Sequence, residues 1–349
     1  MRVAIATVQV PFIRGGAEIL AEGLLQALQA AGQSVDLITM PFRFAPVDEV
    51  QRSMKVWASE NFENLNGYQC DRIICLKFPT FYLQHPNKVA WILHQHRSVY
   101  DLWETEFTKE FSQSEEGRQL KQDVTEKDTA SLQQFRGVYT IAKTVSARLQ
   151  KFNQISSTPL YHPPQFAEQF YNASAEPYIF FPSRLETLKR QNLLIQAMRL
   201  VSSPVVAMIA GEGGQQPYLQ GLIDQFGLHQ KVRLVGRLTD AEKLSFYANC
   251  LGVFFAPYQE DYGYVTLEAM LSRKPVITCK DAGEPAEFVV HRETGYIVEP
   301  EPSAIADAID QLFENRLLAK KMGAAGYDRY NALNISWDNV VQKLLDCPV

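Results

Sequence analysis

The sequence predicts two doubly wound α/β units joined by a short linker. Short apolar runs of strand length alternate with helix-length segments in both halves, which argues for parallel sheets covered by helices. A proline-rich break and the weakly periodic stretch Gln165–Glu176 separate the two sets. The length, 349 residues, exceeds that of one ordinary domain. The expected division is 1–164 for the first unit, 165–176 for the linker, 177–335 for the second unit and 336–349 for a terminal helix.

In order along the chain, Arg2–Thr7 is an apolar strand and Gly15-Gly16 a break. Ala17–Ala31 carries Ile19, Leu20, Leu24, Leu25 and Leu28 at helical spacing, with Gly32 as the stop signal. Ser34–Thr39, Arg72–Leu76, Lys88–Leu93 and Val138–Ile141 read as further buried strands. Asp101–Gln134 mixes acidic and basic residues without blocks and reads as solvated helices. In the second half, strands are expected at Tyr178–Pro182, Val205–Ala210, Val232–Val235, Val253–Ala256 and Val276–Thr278. Helices are expected near Gln191–Leu200, Gln216–Phe226, Asp240–Asn249 and Val265–Ser272, then at Ala304–Phe313, Leu317–Tyr330 and Trp337–Leu345.

Composition excludes several classes. Hydrophobic residues make up 46% and charged residues 21%, so the chain is not disordered. The longest charge-free stretches, Leu244–Gln259 and Phe152–Ala167, fall short of the roughly 20 apolar residues of a spanning helix. No apolar leader follows Arg2, which makes a signal peptide unexpected and the cytoplasm the expected compartment. A net charge of −5 gives no reason to expect nucleic acid and does not indicate peripheral membrane contact. Cys70, Cys75, Cys250, Cys279 and Cys347 lie mostly in apolar runs and read as reduced structural thiols, with no zinc spacing.

Ligands of open α/β sheets bind at the carboxyl ends of the strands. There, Gly15-Gly16 precedes a helix whose N–H groups would face an anion or a sugar, a tight turn being the other reading. Neither Gly-x-Gly-x-x-Gly nor Gly-Lys-Ser/Thr occurs in these loops, which speaks against dinucleotide and P-loop sites. Arg184 leaves a strand and Lys189-Arg190 precede a helix, bringing cations where a diphosphate would sit. In the run Glu260–Met270, Gly263 lets backbone approach a ligand. Glu268 falls among Leu267, Ala269 and Met270, where an unpaired carboxylate is costly. It serves either the helix dipole or a pair of ribose hydroxyls.

Together these residues resemble the retaining glycosyltransferases of family 4, which have the GT-B fold of two Rossmann-like domains. The resemblance runs over nearly the whole chain. It rests on Gly15-Gly16-Ala17-Glu18, His94 after a strand, Arg184 with Lys189, Gly211-Glu212-Gly213, Val235-Gly236-Arg237, and Glu260 and Glu268 with seven residues between them. It implies transfer from a nucleoside-diphosphate sugar to a hydroxyl of a glycan or other acceptor, with no cofactor. Arg184 and Lys189 would bind the diphosphate and Glu268 the ribose. Glu260 and His94 would contact the transferred sugar, and Gly263, Tyr264 and Val265 would offer N–H groups. Gly15 and Gly16 would lie beside phosphates and acceptor, and Gly211, Gly236 and Arg237 near the base. The resemblance also implies that Trp337–Leu345 returns to the first domain. No Asp-x-Asp pair occurs, so no metal site is expected.

The sequence departs from the family pattern at Gly283-Glu284-Pro285-Ala286-Glu287, where Gly-Gly-x-Pro-Glu is common, and His94-Gln95-His96 offers two histidines for one role. Two rivals stand beside this reading. One is an NAD-type oxidoreductase with paired Rossmann-like domains, which lacks its glycine fingerprint here. The other is a sugar-nucleotide-binding protein of the same fold without catalysis.

Overall fold

The structure, a computed structural model, describes residues 1–346, so Cys347 lies outside the described residues. The chain divides into two compact units, Met1–His162 with the segment from Ser336, and Pro163–Ile335.

In the first unit, the strands are β1 (Arg2–Gln9), β2 (Ser34–Pro41), β3 (Asn64–Leu65), β4 (Tyr68–Gln69), β5 (Arg72–Cys75), β6 (Lys88–Ile92), β7 (Gly137–Thr140) and β8 (Thr158–Pro159). Six of them form a parallel sheet in the order β2-β1-β5-β6-β7-β8, and β3-β4 is a separate hairpin. Central strands read as continuous apolar runs because both faces are covered. Helices α1 (Gly16–Ala30), α2 (Val47–Ser59), α3 (Lys109–Gln113), α4 (Glu115–Leu132) and α5 (Lys143–Asn153) complete the unit up to His162.

The expectation of wholly solvated helices in Asp101–Gln134 is corrected. α4 buries Leu120, Val124, Asp128 and Leu132, one residue per turn on a single face. The stripe escapes a hydropathy reading because one member is acidic. Asp128 is fully buried and accepts hydrogen bonds from Tyr82 Oη at 2.6 Å and Tyr100 Oη at 2.9 Å. Burial pushes its carboxyl up to about 7, against the opposing pull of the two phenols. A carboxyl raised in the folded state contributes stability that is full below about pH 4 and lost as pH rises through about 7. Asp128→Asn should therefore flatten the fall in urea-unfolding free energy between about pH 4 and pH 7, by an amount on the order of a few kcal/mol. An unchanged pH slope in the variant rejects this.

In the second unit, the strands are β9 (Tyr178–Pro182), β10 (Val206–Ala210), β11 (Val232–Gly236), β12 (Gly252–Phe254), β13 (Val276–Cys279) and β14 (Gly295–Val298), all parallel, in the order β11-β10-β9-β12-β13-β14. The helices are α6 (Gln191–Ala197), α7 (Gln216–Phe226), α8 (Asp240–Asn249), α9 (Tyr264–Leu271), α10 (Glu284–Phe288), α11 (Pro302–Glu314) and α12 (Arg316–Ala332). Thr239 and Glu242 form a capping box at the start of α8. Sequence reasoning missed β14 and α10, both of them short.

The stretch 165–176 is not a bare tether. Ala173 N donates to Ala248 O at 2.9 Å, Glu176 N donates to Asn249 O at 2.8 Å, and Phe170 packs edge-on against Tyr247 at 5.6 Å. These contacts fasten it to the second unit.

The last helix, α13 (Trp337–Leu345), packs in the first unit. Trp337 lies edge-on to Trp91 at 6.2 Å, and a Cβ on Gly23 of α1 would meet its ring at 2.4 Å, so this α1 position admits no side chain. The buried Arg72 guanidinium donates to Leu344 O at 2.7 Å and Leu345 O at 2.5 Å, satisfying the last carbonyls of α13 from within the sheet. Cys70, Cys75, Cys250 and Cys279 are free and buried. Among the described residues no helix is long and apolar enough to cross a membrane.

Candidate functional site

In the second unit the connections leave neighbouring strands β9 and β12 toward opposite edges of the sheet, which makes this pair a topological switch point. The loops that follow these two strands and β13 are laced together. Tyr258 N donates to Leu188 O at 2.8 Å, Gln259 N to Asp281 O at 3.0 Å, and Glu260 N to Ala282 O at 2.8 Å. Arg190, which the sequence set with Lys189 among cations for a diphosphate, is the fastener between these loops. Its guanidinium binds both Asp281 carboxylate oxygens at 2.7 Å and also reaches Ala256 O and Pro257 O. Gly283 is required here, with φ +76° and a hypothetical Cβ only 2.4 Å from Glu260 O.

Lys189 and Glu260, 71 residues apart, meet in this lacework, with Nζ donating to Oε2 at 2.6 Å. Both side chains keep some exposure, 17% and 21%. Arg184 is exposed on the loop after β9. Gly263 precedes α9 with φ +85°, and a Cβ there would strike Pro285 at 2.8 Å. The first N–H groups of α9, at Tyr264 and Val265, have no acceptor within the helix. Gly211 packs against Ser183 O and donates its N–H to Gly236 O at 2.8 Å, so the turns at Gly211 and Gly236-Arg237 flank the Arg184 loop. Glu284 is buried in the first turn of α10, and its N–H donates to Glu260 O at 3.0 Å.

Glu268 is 4% exposed and paired on both oxygens. Lys243 Nζ reaches Oε1 and Tyr247 Oη reaches Oε2, each at 2.5 Å. Burial, then the field of Glu268, raises the Tyr247 phenol well above its usual range, so it stays protonated and donates. Neither partner carried a sequence signal, since both lie on α8 and meet Glu268 only through the fold.

In the first unit the two histidines separate. His94 is half-buried on the loop after β6, with Nδ1 at 2.7 Å from Gln95 O. His96 is buried, stacked on Phe78 at 4.9 Å and parallel to Phe44 at 6.2 Å, and burial lowers it to about 4. A neutral, enclosed His96 is core, which leaves His94 as the ring able to meet a ligand. Gly15 and Gly16 start α1, with Gly15 N donating to Glu18 Oε2 at 2.8 Å. Among the described residues no group of three or more His, Cys, Asp or Glu side chains is arranged to hold a metal ion.

Residues 165–329 match the family model for glycosyl transferases group 1. The chain is 33% identical over 111 residues to an alpha-1,3/1,6-mannosyltransferase of Mus musculus, covering 32% of this chain and 26% of that protein. It is 28% identical over 179 residues to the D-inositol 3-phosphate glycosyltransferase of Corynebacterium urealyticum, covering 48% and 42%. The matched segments thus span a quarter to less than half of these relatives. Among solved structures, sucrose-phosphate synthase from Thermosynechococcus elongatus superposes with a TM-score of 0.77 at 18% identity, over 99% of this chain and 97% of that one. The Anabaena protein HepE in complex with UDP superposes with a TM-score of 0.71 at 17% identity, over 99% of each chain. Likeness at such identity shows the fold, which is GT-B. The second unit thus matches the model for glycosyl transferases group 1, in a chain whose two Rossmann-like units make up the GT-B fold.

Proposed function

We propose that the chain moves a sugar from a nucleoside-diphosphate donor to an acceptor hydroxyl, with retention of anomeric configuration and without a metal ion, in polysaccharide or glycoconjugate biosynthesis. The observation that carries this reading is the Lys189–Glu260 pair at the switch point of the second unit. A cation there meets the charge that grows on a departing diphosphate, with exposed Arg184 adding to it, and fixed charge of this kind is a large term in transfer chemistry. N–H groups at Gly263, Tyr264 and Val265 would receive a phosphate oxygen at the start of α9. Glu260, steadied by Lys189, would hold hydroxyls of the transferred sugar. Glu268 would take the ribose diol, and Gly211, Gly236 and Arg237 would flank the base. The first unit is assigned the acceptor, with His94, Gly15 and Gly16 as its candidate contacts.

A thermal-shift panel of UDP-, GDP- and ADP-sugars tests the donor class, UDP first because a relative of the same fold was solved with it. The matching donor at about 100 times its dissociation constant should add about 2.7 kcal/mol of stability. Transfer should survive EDTA. Stabilisation by NAD alone overturns the reading, and activity abolished by EDTA and restored by magnesium overturns its metal independence.

The Tyr247–Glu268 bond gives a sharper check. Tyr247→Phe removes one donor to a charged acceptor, worth about 1.5–3 kcal/mol, and should weaken nucleoside-diphosphate binding roughly tenfold or more. The 2′-deoxyribonucleotide should lose much less. Equal losses for both nucleotides in calorimetry would remove the ribose from Glu268.

A further inference from the structure

The linker segment 170–176 ties together the two helices that hold Glu268. Glu268 stands on α9, and the phenol that reaches its Oε2 at 2.5 Å stands on α8, so this bond needs the two helices to keep their spacing. The segment is fixed to the end of each. Ala173 N and Glu176 N donate to Ala248 O and Asn249 O, which belong to the last two residues of α8. Ala173 O accepts from Lys274 Nζ at 3.2 Å, and Lys274 N in turn donates to Ala269 O at 2.9 Å, one residue beyond Glu268. A single residue, Ala173, is therefore bonded to α8 through its N–H and to the turn after α9 through its carbonyl. Lys274 is only 3% exposed, and a buried ammonium is costly unless hydrogen-bonded, so the bond to the linker is one the fold has reason to keep.

The same segment also reaches the phenol itself. Tyr247 is fully buried, and two phenyl rings meet it edge-on, Phe180 of β9 at 5.0 Å and Phe170 at 5.6 Å. Phe180 is part of the sheet. Phe170 lies in a stretch where Phe166, Glu168, Gln169 and Tyr171 are all exposed, and it is the aromatic side chain there that turns inward. Because Phe170 is half-buried and Tyr247 wholly so, Phe170 stands between the phenol and water. Edge-on ring pairs are directional, so this contact bears on where Tyr247 points its hydroxyl. Water admitted beside the phenol would also weaken its bond to Glu268, which gains from low local dielectric.

We propose that Phe170 is a positioning residue for ribose recognition, holding Tyr247 against Glu268 while the rest of the segment keeps α8 and α9 at the spacing this bond needs. The inference rests on Glu268 taking the ribose diol, and it adds a residue of the linker on which that selectivity depends. Linkage makes the effect reciprocal: a nucleotide that engages Glu268 stabilises the fastened linker by as much as the fastened linker stabilises its binding.

The test uses the full chain, with UDP and 2′-deoxy-UDP as calorimetric probes against wild type, Phe170→Ala, Phe170→Tyr, Tyr171→Ala and Tyr247→Phe; the GDP or ADP pair replaces them where the donor panel selects a purine. UDP affinity should fall about fivefold in Phe170→Ala, within the range for loss of an edge-on aromatic pair, while 2′-deoxy-UDP loses less than twofold. Phe170→Tyr keeps the ring and should stay within twofold of wild type, as should Tyr171→Ala, which removes the exposed neighbour. Equal losses of the two nucleotides in Phe170→Ala, or wild-type affinity for both, overturn the proposal. A second readout needs no variant. Chymotrypsin cleavage at the exposed Phe166 and Tyr171 should be slowed more by saturating UDP than by saturating 2′-deoxy-UDP, and equal protection overturns the proposal. Unchanged UDP affinity in Tyr247→Phe refutes Glu268 as the ribose carboxylate. A loss in Tyr247→Phe that Phe170→Ala does not share overturns the positioning role alone and leaves the ribose reading standing.

Discussion

Lys189→Ala should lower turnover by a factor on the order of 100 or more, the range that follows loss of one preorganised charge-stabilising donor. Two effects add in the same direction. The cation that would face the leaving diphosphate is gone, and Glu260, bound to it at 2.6 Å, is left without its counter-charge. Arg184→Ala should fall in the same range by the first effect alone, since the side chain is exposed and has no hydrogen bond or ion pair among the described residues. Because Lys189 and Glu260 are in contact, the double variant Lys189→Ala/Glu260→Gln should lose less than the product of the single losses. The control is Lys280→Ala, which removes an exposed partner of Glu299 and should leave turnover within twofold. Single-turnover rates at saturating donor provide the measurement, with melting curves to show that the variants are folded. A Lys189→Ala enzyme within threefold of wild type would falsify the diphosphate role.

The chain-local part of this architecture was legible because its signals are local. Tyr178–Pro182, Gln216–Phe226 and Asp240–Asn249 coincide with β9, α7 and α8, each having strand-length apolarity or helical period bounded by Pro, Gly or a capping box. The return of Trp337–Leu345 to the first unit was implied by the family resemblance, but the space that Gly23 leaves for the Trp337 ring had no signal in the sequence. Glu268 stood out as a carboxylate among apolar neighbours, but its partners lie 25 and 21 residues away on another helix. The same limit hid Arg190–Asp281 and Lys189–Glu260, 91 and 71 residues apart, because charge pairing across loops leaves no periodic trace in one sequence. Asp128 failed for the opposite reason. A charged residue on a charge-rich helix is read as solvated, and only the two tyrosine hydroxyls show why it is not.

Glu260→Gln should cripple transfer by a factor on the order of 100 while leaving it measurable, because the amide keeps the shape of the side chain and loses its charge. The backbone at this residue is pinned independently of the carboxylate, by Glu260 N on Ala282 O and Glu284 N on Glu260 O, so the variant should fold. What disappears is the ion pair with Lys189 and, in the proposed site, the negative charge that would stand beside the anomeric carbon as positive charge develops there. In the proposed front-face course a phosphate oxygen of the leaving group accepts the proton of the incoming hydroxyl. The new bond then forms on the face where the old one broke, and no carboxylate need act as nucleophile. On this proposal Glu260 would orient sugar hydroxyls and steady the developing charge, a role that glutamine would fill in part. NMR of the product should show the anomeric configuration of the donor in both wild type and variant. An inverted product rejects retention. A glycosyl ester on Glu260, trapped with a fluorinated donor and found by mass spectrometry, replaces the front-face course with double displacement. In that event Glu260→Gln should be silent, since an amide cannot form the ester, so the residual rate of this one variant separates the two mechanisms.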